Sequence, residues 1–421
     1  MAQKASIVGV GCTKFGNMLT DPELKDLTFQ ELVAKAAFEA MNDAGISPED
    51  IDAFFIGNML AHTSQVYSHA TLLSDWLGLR FKGGFHFDTA CSTTNTGMGI
   101  AANSINSGKY KNVLVVAGEI LSSVPKNYNQ LDREPLDAQT LWEWTDFGMD
   151  HVYAYHHCYD VASAYGAIPT MGYMKKYGLS FEKMDETMYH VNKAVRMHAS
   201  LNPKAYIRQD LDQLARSKGY KDSLEYWKSK YNPFFAWPTR LLSALNTVDG
   251  ASAMVISGEP QKHDSKVPVE IRGFHWTTSN YPWYGTDSTT MPQDVIAIKG
   301  AYKMAGIQPK DIDYLYVHDC MQIHQLEVSE IAGYFPKGES WKAFMDDRTT
   351  YKGDKPLNVS GGRHGLGHAF EASAGAETYH IVKQMRGEAG KLQMKTKPKI
   401  AVQHNHGYGM HTAVTVLERG D

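Results

Sequence analysis

Apolar side chains at Phe29, Leu32, Val33, Ala36, Ala37, Ala40 and Met41 recur at helical period and form one stripe. Gly45 follows where a helix end needs a positive φ, and an apolar run at Ala53–Ile56 then predicts a strand. The same pattern returns later in the chain. Residues 44–52 read Ala-Gly-Ile-Ser-Pro-Glu-Asp-Ile-Asp and residues 305–313 read Ala-Gly-Ile-Gln-Pro-Lys-Asp-Ile-Asp. Gly306 is the second cap, and Tyr314–Val317 the second strand.

Around these two copies five elements recur in one order. Opening strands are predicted at Ser6–Gly11 and Val269–Phe274. After each repeat comes a further strand, Phe85–Thr89 or Pro356–Val359, and then a helix rich in small residues, Met98–Ile105 or Ala369–Met385. Closing strands fall at Asn112–Ala117 and Lys399–Gln403. Gly and Ala in quantity suit a helix packed closely on all sides, so both helices are expected between two sheets. The chain therefore reads as α/β, with two duplicated halves of βαβαβ type at 1–121 and 246–421.

Residues 122–245 fit neither half and are expected to form an insertion over the site, as long excursions from α/β cores do. Trp142, Trp144, Phe147, Tyr153, Tyr155 and Tyr159 crowd its first part, and Tyr226, Trp227, Tyr231, Phe234, Phe235 and Trp237 its second. Helical patterns run over Met171–Tyr177 and Met184–Ala199.

Composition narrows the class. The 421 residues are 43% hydrophobic and 21% charged with net charge −4, so no basic field draws in nucleic acid. No apolar run is long enough to span a membrane, and the N-terminus reads as a strand, not a signal peptide. The four cysteines, Cys12, Cys91, Cys158 and Cys320, form no CxxC pair, which suggests a reducing, cytoplasmic setting.

Cys91 lies in Asp88-Thr89-Ala90-Cys91-Ser92-Thr93, at a strand-to-helix junction. A helix N-terminus there would lower a thiol's pKa, although a lone cysteine is as readily buried filler. His318 and Cys320, in His318-Asp319-Cys320-Met321, end the second repeat's strand and point to one side of it. The Gly-rich segment 361–368 leads to His368, a candidate base, and lacks the Lys-Ser/Thr of a phosphate loop. A second glycine turn, Gln403 to His411, closes the chain's last strand pattern. His151, His156, His157 and Cys158 match no common zinc spacing, so no metal is assigned.

These motifs together resemble the thiolases, above all the sterol-carrier-protein type and its archaeal and bacterial relatives, over nearly the whole length. Ala90-Cys91-Ser92 matches the nucleophile motif and His318-Asp319-Cys320-Met321 the HDCF motif. Gly367-His368-Ala369 matches the GHP motif and Asn405-His406-Gly407 the CxG motif. The resemblance implies a five-layered αβαβα core of duplicated halves with a loop domain. It implies coenzyme A as co-substrate, no tightly bound cofactor, a homodimeric core, and a small zinc-ribbon/OB-fold partner in some relatives. Two departures stand out: Ala369 replaces a proline, and Asn405 replaces the second acid/base cysteine, for which Cys320 is the natural substitute.

The implied chemistry is cleavage of a 3-oxoacyl-CoA, or its reverse, through an acyl group on Cys91. His368 would accept the thiol proton and later deprotonate CoA, and Cys320 would protonate the leaving carbanion. His318 and His368 would hold the enolate oxygen, with backbone N–H groups of Cys91 and Gly407 forming a second oxyanion hole. Gly367 and Asn405 would line the site. A narrower resemblance, to the thiolase subunits of benzoylsuccinyl-CoA thiolases, implies a carboxylate-bearing aromatic substrate from anaerobic toluene degradation. Arg133, Arg196, Arg208 and Arg240 in the insertion are candidates to hold that carboxylate. The other readings are an acetyl-CoA acetyltransferase or other condensing enzyme of this fold, and a non-catalytic acyl-CoA-binding scaffold.

Overall fold

A computed structural model describes residues 4–127, 129–137, 162–260, 267–279, 289–407 and 411–420. The first half comprises β1 (Ser6–Cys12), α1 (Phe29–Ala44), β2 (Ala53–Gly57), β3 (Gly83–Phe87), α2 (Thr93–Asn106), β4 (Asn112–Glu119) and β5 (Gly250–Ser257), the last pairing with β4 and β1 although the sequence pattern places residues from 246 onward in the second half. The insertion carries α3 (Ile168–Tyr177) and α4 (Phe181–Leu201). The second half comprises β6 (Val269–Thr278), α5 (Pro292–Ala305), β7 (Tyr314–Tyr316), α6 (Ile323–Ile331), α7 (Phe370–Arg386), β8 (Ile400–Gly407) and β9 (His411–Arg419).

The duplication read from the sequence holds at the level of single hydrogen bonds. α1 and α5 end on Gly45 and Gly306, with φ of 69° and 66°. In the first copy Asp50 accepts from the Ser47 N–H at 2.9 Å, and in the second Asp311 accepts from the Gln308 N–H at 2.8 Å. The final aspartate of each copy pins the start of the neighbouring strand. Asp52 accepts from the N–H groups of Lys111 and Asn112, and Asp313 from those of Lys399 and Ile400.

Strand order in the first half is β3-β2-β4-β5-β1, with β3, β2 and β4 parallel and β5 antiparallel to both of its neighbours. The second half repeats it as β7-β8-β9-β6. The sheets join where β1 meets β6, at Ser6↔Glu270 and Ile7↔Val269. α1 covers the outer face of the first sheet and α5 that of the second, while α2 and α7 lie between the sheets. That is the five-layered αβαβα core. Its middle packs Met98, Ala101 and Ile105 of α2 and Ile381, Val382 and Met385 of α7 against strands of both sheets.

One predicted strand is replaced. Pro356–Val359 contributes a single parallel bridge, Leu315↔Leu357, where β3 pairs along its whole length. Pro356 offers no N–H to a ladder. Asn358, at φ 46°, instead uses its side chain to accept from the Val317 N–H at 2.8 Å and donate to the Val317 carbonyl at 2.9 Å. A side-chain amide thus does the pairing of a strand residue.

The described part of the insertion packs on the second half. Tyr173, Met184, Met188 and Trp227 share an apolar cluster with Ile298, Leu326 and Phe344. α4 runs beneath the Gly-rich loop: a Cβ on Gly365 would lie 2.5 Å from the Ala199 Cβ. Among the described residues no helix is long and apolar enough to cross a membrane.

Candidate active site

Cys91 sits one turn before α2, in a short 3-10 turn spanning Ala90–Ser92 that starts with Ala90 at φ 49°. Such a left-handed backbone is uncommon for alanine and marks a tight strand-to-helix corner. The thiol lies against Leu60, Leu121 and Phe370. The expected lowering of its pKa does not occur. Burial pushes it up to about 11, against the opposing pull of the Arg363 guanidinium, with Asp88 and Glu119 adding to the rise. In this setting desolvation outweighs the charge effects.

The second half meets Cys91 through the Gly-rich loop. The Cys91 Sγ lies 3.1 Å from His368 Nε2, and His368 Nδ1 lies 2.9 Å from Ser373 Oγ. Burial first, then Arg363, drives the His368 pKa well below its ordinary value. The resting pair is therefore a neutral thiol beside a neutral imidazole.

His318 is buried at the end of β7, its ring centroid 5.9 Å from that of His368. Its Nδ1 accepts from the His406 N–H at 3.3 Å. Burial keeps the ring neutral. A neutral ring accepting at Nδ1 carries its proton on Nε2, so His318 presents a donor. Cys320 is also buried, its Sγ 4.0 Å from His324 Nδ1. Burial and then the neighbouring Cys91 push its thiol well above the ordinary range, which keeps it protonated.

Gly407 closes the site from β8. A Cβ there would lie 2.1 Å from the Thr89 carbonyl and 2.9 Å from Ser92 Oγ, so only glycine lets β8 meet the Cys91 turn. Gly367, at φ 105°, borders Val248 in the same loop. Asn405 bonds into the interlayer network instead: its Oδ1 accepts from Asn95 Nδ2 at 2.9 Å and its Nδ2 donates to Glu377 at 2.5 Å.

Residues without an assigned role complete the site. Arg363 is buried, donates from Nε to Glu377 Oε1 at 2.8 Å, and reaches both the Cys91 carbonyl and His368. Its signal was a charged residue inside a Gly-rich loop; that of Glu377 was a carboxylate on a helix expected to be buried all round. Asp294 Oδ1 lies 2.6 Å from His404 Nε2 and 2.5 Å from His406 Nε2, and accepts from Thr412 Oγ1 at 3.1 Å. Among the described residues this is the one group of three donors of the kinds metals use. The hydrogen bonds account for it as a lock on β8, which carries the N–H that orients His318. His151, His156, His157 and Cys158, with the aromatics from Trp142 to Tyr159, lie outside the described residues.

Residues 5–187 match the family described as thiolase, N-terminal domain, and residues 281–419 the family described as thiolase C-terminal domain-like. The chain belongs to the thiolase superfamily and is an acyltransferase of that kind. An acetyl-CoA acetyltransferase of Methanothermobacter thermautotrophicus is 29% identical over 98% of this chain and 99% of its own. The benzoylsuccinyl-CoA thiolase subunit BbsB of Thauera aromatica is 23% identical over 97% of this chain and 96% of its own. Among solved structures, the Ltp2-ChsH2(DUF35) aldolase superposes with a TM-score of 0.73 at 19% identity, covering 99% of this chain and 98% of that one. Human mitochondrial 3-ketoacyl-CoA thiolase superposes with a TM-score of 0.67 at 19% identity, covering 100% of both.

Proposed function

We propose that this thiolase cleaves, or in reverse forms, the bond between C2 and C3 of a 3-oxoacyl-CoA, with Cys91 carrying the acyl group. The observation behind this is the 3.1 Å approach of Cys91 Sγ to His368 Nε2, with two further proton carriers, His318 and Cys320, converging on it. His368 takes the Cys91 proton as the sulfur attacks the 3-keto carbon. The C2–C3 bond breaks, its electron pair passes into the enolate of the shorter acyl-CoA, and the Cys320 thiol protonates C2. The neutral His318 and its Nε2 proton suit an enolate oxygen. N–H groups of Cys91 and Gly407 hold the other oxyanion, each such donor lowering a barrier by about 3 kcal/mol. The Cys320 thiolate recovers a proton from His368, and CoA then attacks the acyl-enzyme, giving its own proton to the freed His368. Cys91 leaves as thiolate and recovers a proton from His368.

The substrate is proposed to carry a free carboxylate, as a benzoylsuccinyl group does, and Arg196 is proposed to bind it. Arg240 is held at both ends by Asp185 at 2.7 and 3.1 Å. Arg133 is engaged by Ser123 and the Thr63 carbonyl, and Arg208 by the Asn202 carbonyl. Arg196 is buried on α4, next to the helix face that underlies the Gly-rich loop, and its charge reaches His364 in that loop. Among the described residues it has no carboxylate partner. A homodimeric core is supported by β3, an exposed edge strand preceded by a fully exposed Phe81. A separate partner subunit is supported by two relatives, one named for two components and one named as a subunit.

The test is thiolysis of a 3-oxoacyl-CoA by the full chain with any co-purifying subunit. Cys91→Ser should abolish turnover. Cys320→Ala should slow carbon–carbon cleavage while leaving acyl exchange between Cys91 and CoA intact. Equal loss of both steps in Cys320→Ala would contradict its role as acid, and binding without turnover in the wild type would favour a scaffold.

A further inference from the structure

We propose that Arg363 is a positioning residue for the Cys91–His368 pair: it fixes the tautomer of His368 and supplies the positive charge that meets the Cys91 thiolate. The proposal rests on Cys91 being the nucleophile, but its test needs no turnover.

The geometry is that of a buried fork with three assignments. Arg363 Nε donates to Glu377 Oε1 at 2.8 Å, Nη2 to the Cys91 carbonyl at 3.3 Å, and Nη1 lies 3.3 Å from His368 Nε2. A guanidinium has only donors, so His368 Nε2 must offer its lone pair toward Nη1. That places the neutral ring's proton on Nδ1, toward Ser373 Oγ at 2.9 Å. The same lone pair faces the Cys91 thiol at 3.1 Å. The guanidinium thus holds the base in the form that can accept the thiol proton, and stands beside the sulfur that loses it.

The fork is held from behind. Glu377 Oε2 accepts from Asn405 Nδ2 at 2.5 Å and from Gln403 Nε2 at 3.3 Å. Gln403 in turn donates to Asn405 Oδ1 at 3.1 Å, and its own Oε1 accepts from Thr378 Oγ1 at 2.7 Å. Arg363 N itself donates to Asp319 at 2.9 Å, and Asp319 accepts from Gln325 at 2.7 Å. Asn405, at the motif position where a thiol would be an acid/base, here orients a carboxylate that orients a guanidinium.

Charge arithmetic around Cys91 makes the cation consequential. Asp88 and Glu119 face it from the first half, and both disfavour the thiolate. From the second half come His368 and Cys320, whose neutral forms add no positive charge, and Arg363, which favours the thiolate. Glu377 offsets part of the guanidinium charge. Removing Arg363 should therefore disfavour the thiolate, and neutralising Glu377 should favour it.

The experiment is the rate of Cys91 alkylation by iodoacetamide between pH 7 and 9.5, read on the Cys91 peptide by mass spectrometry, with thermal melting as the check on folding. Arg363→Met should alkylate at least about tenfold more slowly than wild type at each pH, the change expected for one pKa unit. Arg363→Lys, which keeps the charge, should recover most of that rate. Glu377→Gln should alkylate faster than wild type. Opposite signs in Arg363→Met and Glu377→Gln separate a charge effect from altered access to the thiol. A folded Arg363→Met with an unchanged rate, or Arg363→Met and Glu377→Gln slowed alike, would reduce Arg363 to packing and overturn the proposal. Should Arg363→Met not fold, the sign of the Glu377→Gln change decides: slower or unchanged alkylation overturns it.

Discussion

At the scale of single residues, burial sets the chemistry more than position in sequence does. Cys91 was legible as a strand-end cysteine, but the lowered pKa expected of a helix N-terminus was not borne out, because desolvation exceeds what the end of α2 contributes. His318, Cys320 and His368 were legible from spacing, since each ends a strand or loop pattern at one sheet edge. Arg363 was not, because a charge in a Gly-rich loop reads as solvated until Glu377, on a helix fourteen positions later, is known to face it. Arg196 illustrates the same limit: four insertion arginines look alike in sequence, and only their partners tell them apart. For a carboxylate-bearing 3-oxoacyl-CoA, Arg196→Met should raise KM at least about tenfold, the loss of one charged hydrogen bond of about 1.5–3 kcal/mol. KM for acetoacetyl-CoA, which lacks the carboxylate, should stay within about twofold. Steady-state kinetics on the two substrates checks this, and an equal rise for both would remove Arg196 from the carboxylate site.

At the scale of elements, the duplication was legible because both repeats use one set of physical devices: a glycine cap, a proline-started turn, and an aspartate that pins the next strand. The small-residue helices were legible for a related reason. Gly375 shows why: a Cβ there would lie 2.2 Å from Ser252 Oγ and 2.9 Å from a Thr94 methyl, so α7 meets β5 and α2 too closely for any side chain. Gly375→Ala should destabilise the fold by about 1–3 kcal/mol through overpacking, seen as a lower melting temperature. An unchanged melting temperature would mean the layers are looser than described. The strand expected at Pro356–Val359 was misread because apolar alternation cannot reveal that Asn358 will pair through its side chain. The 3-10 turn holding Cys91 was equally invisible, since it depends on a left-handed alanine.

At the scale of the whole molecule, the two halves contribute unlike things to one site. The first half supplies Cys91 on a tight corner, and among the described residues the second supplies His368, His318 and the guanidinium of Arg363 around it. The exposed edge of β3 lies on the Cys91 side of the first sheet and ends in the Asp88–Ala90 corner, so pairing there would brace Cys91 as well as cover the edge. The chain should therefore run as a dimer in size-exclusion chromatography with light scattering. Phe85→Lys with Phe81→Lys should shift it toward monomer, and an unaltered dimer would place the interface elsewhere. The proposed mechanism requires an acyl group on Cys91 and on no other cysteine. Brief exposure of the wild type to a 3-oxoacyl-CoA without free CoA, followed by acid quench and peptide mass mapping, tests it directly. One added acyl mass should appear on the peptide carrying Cys91 and be lost when CoA is supplied. Acyl mass on the Cys320 or Cys158 peptide, or none on any cysteine while cleavage proceeds, would contradict it.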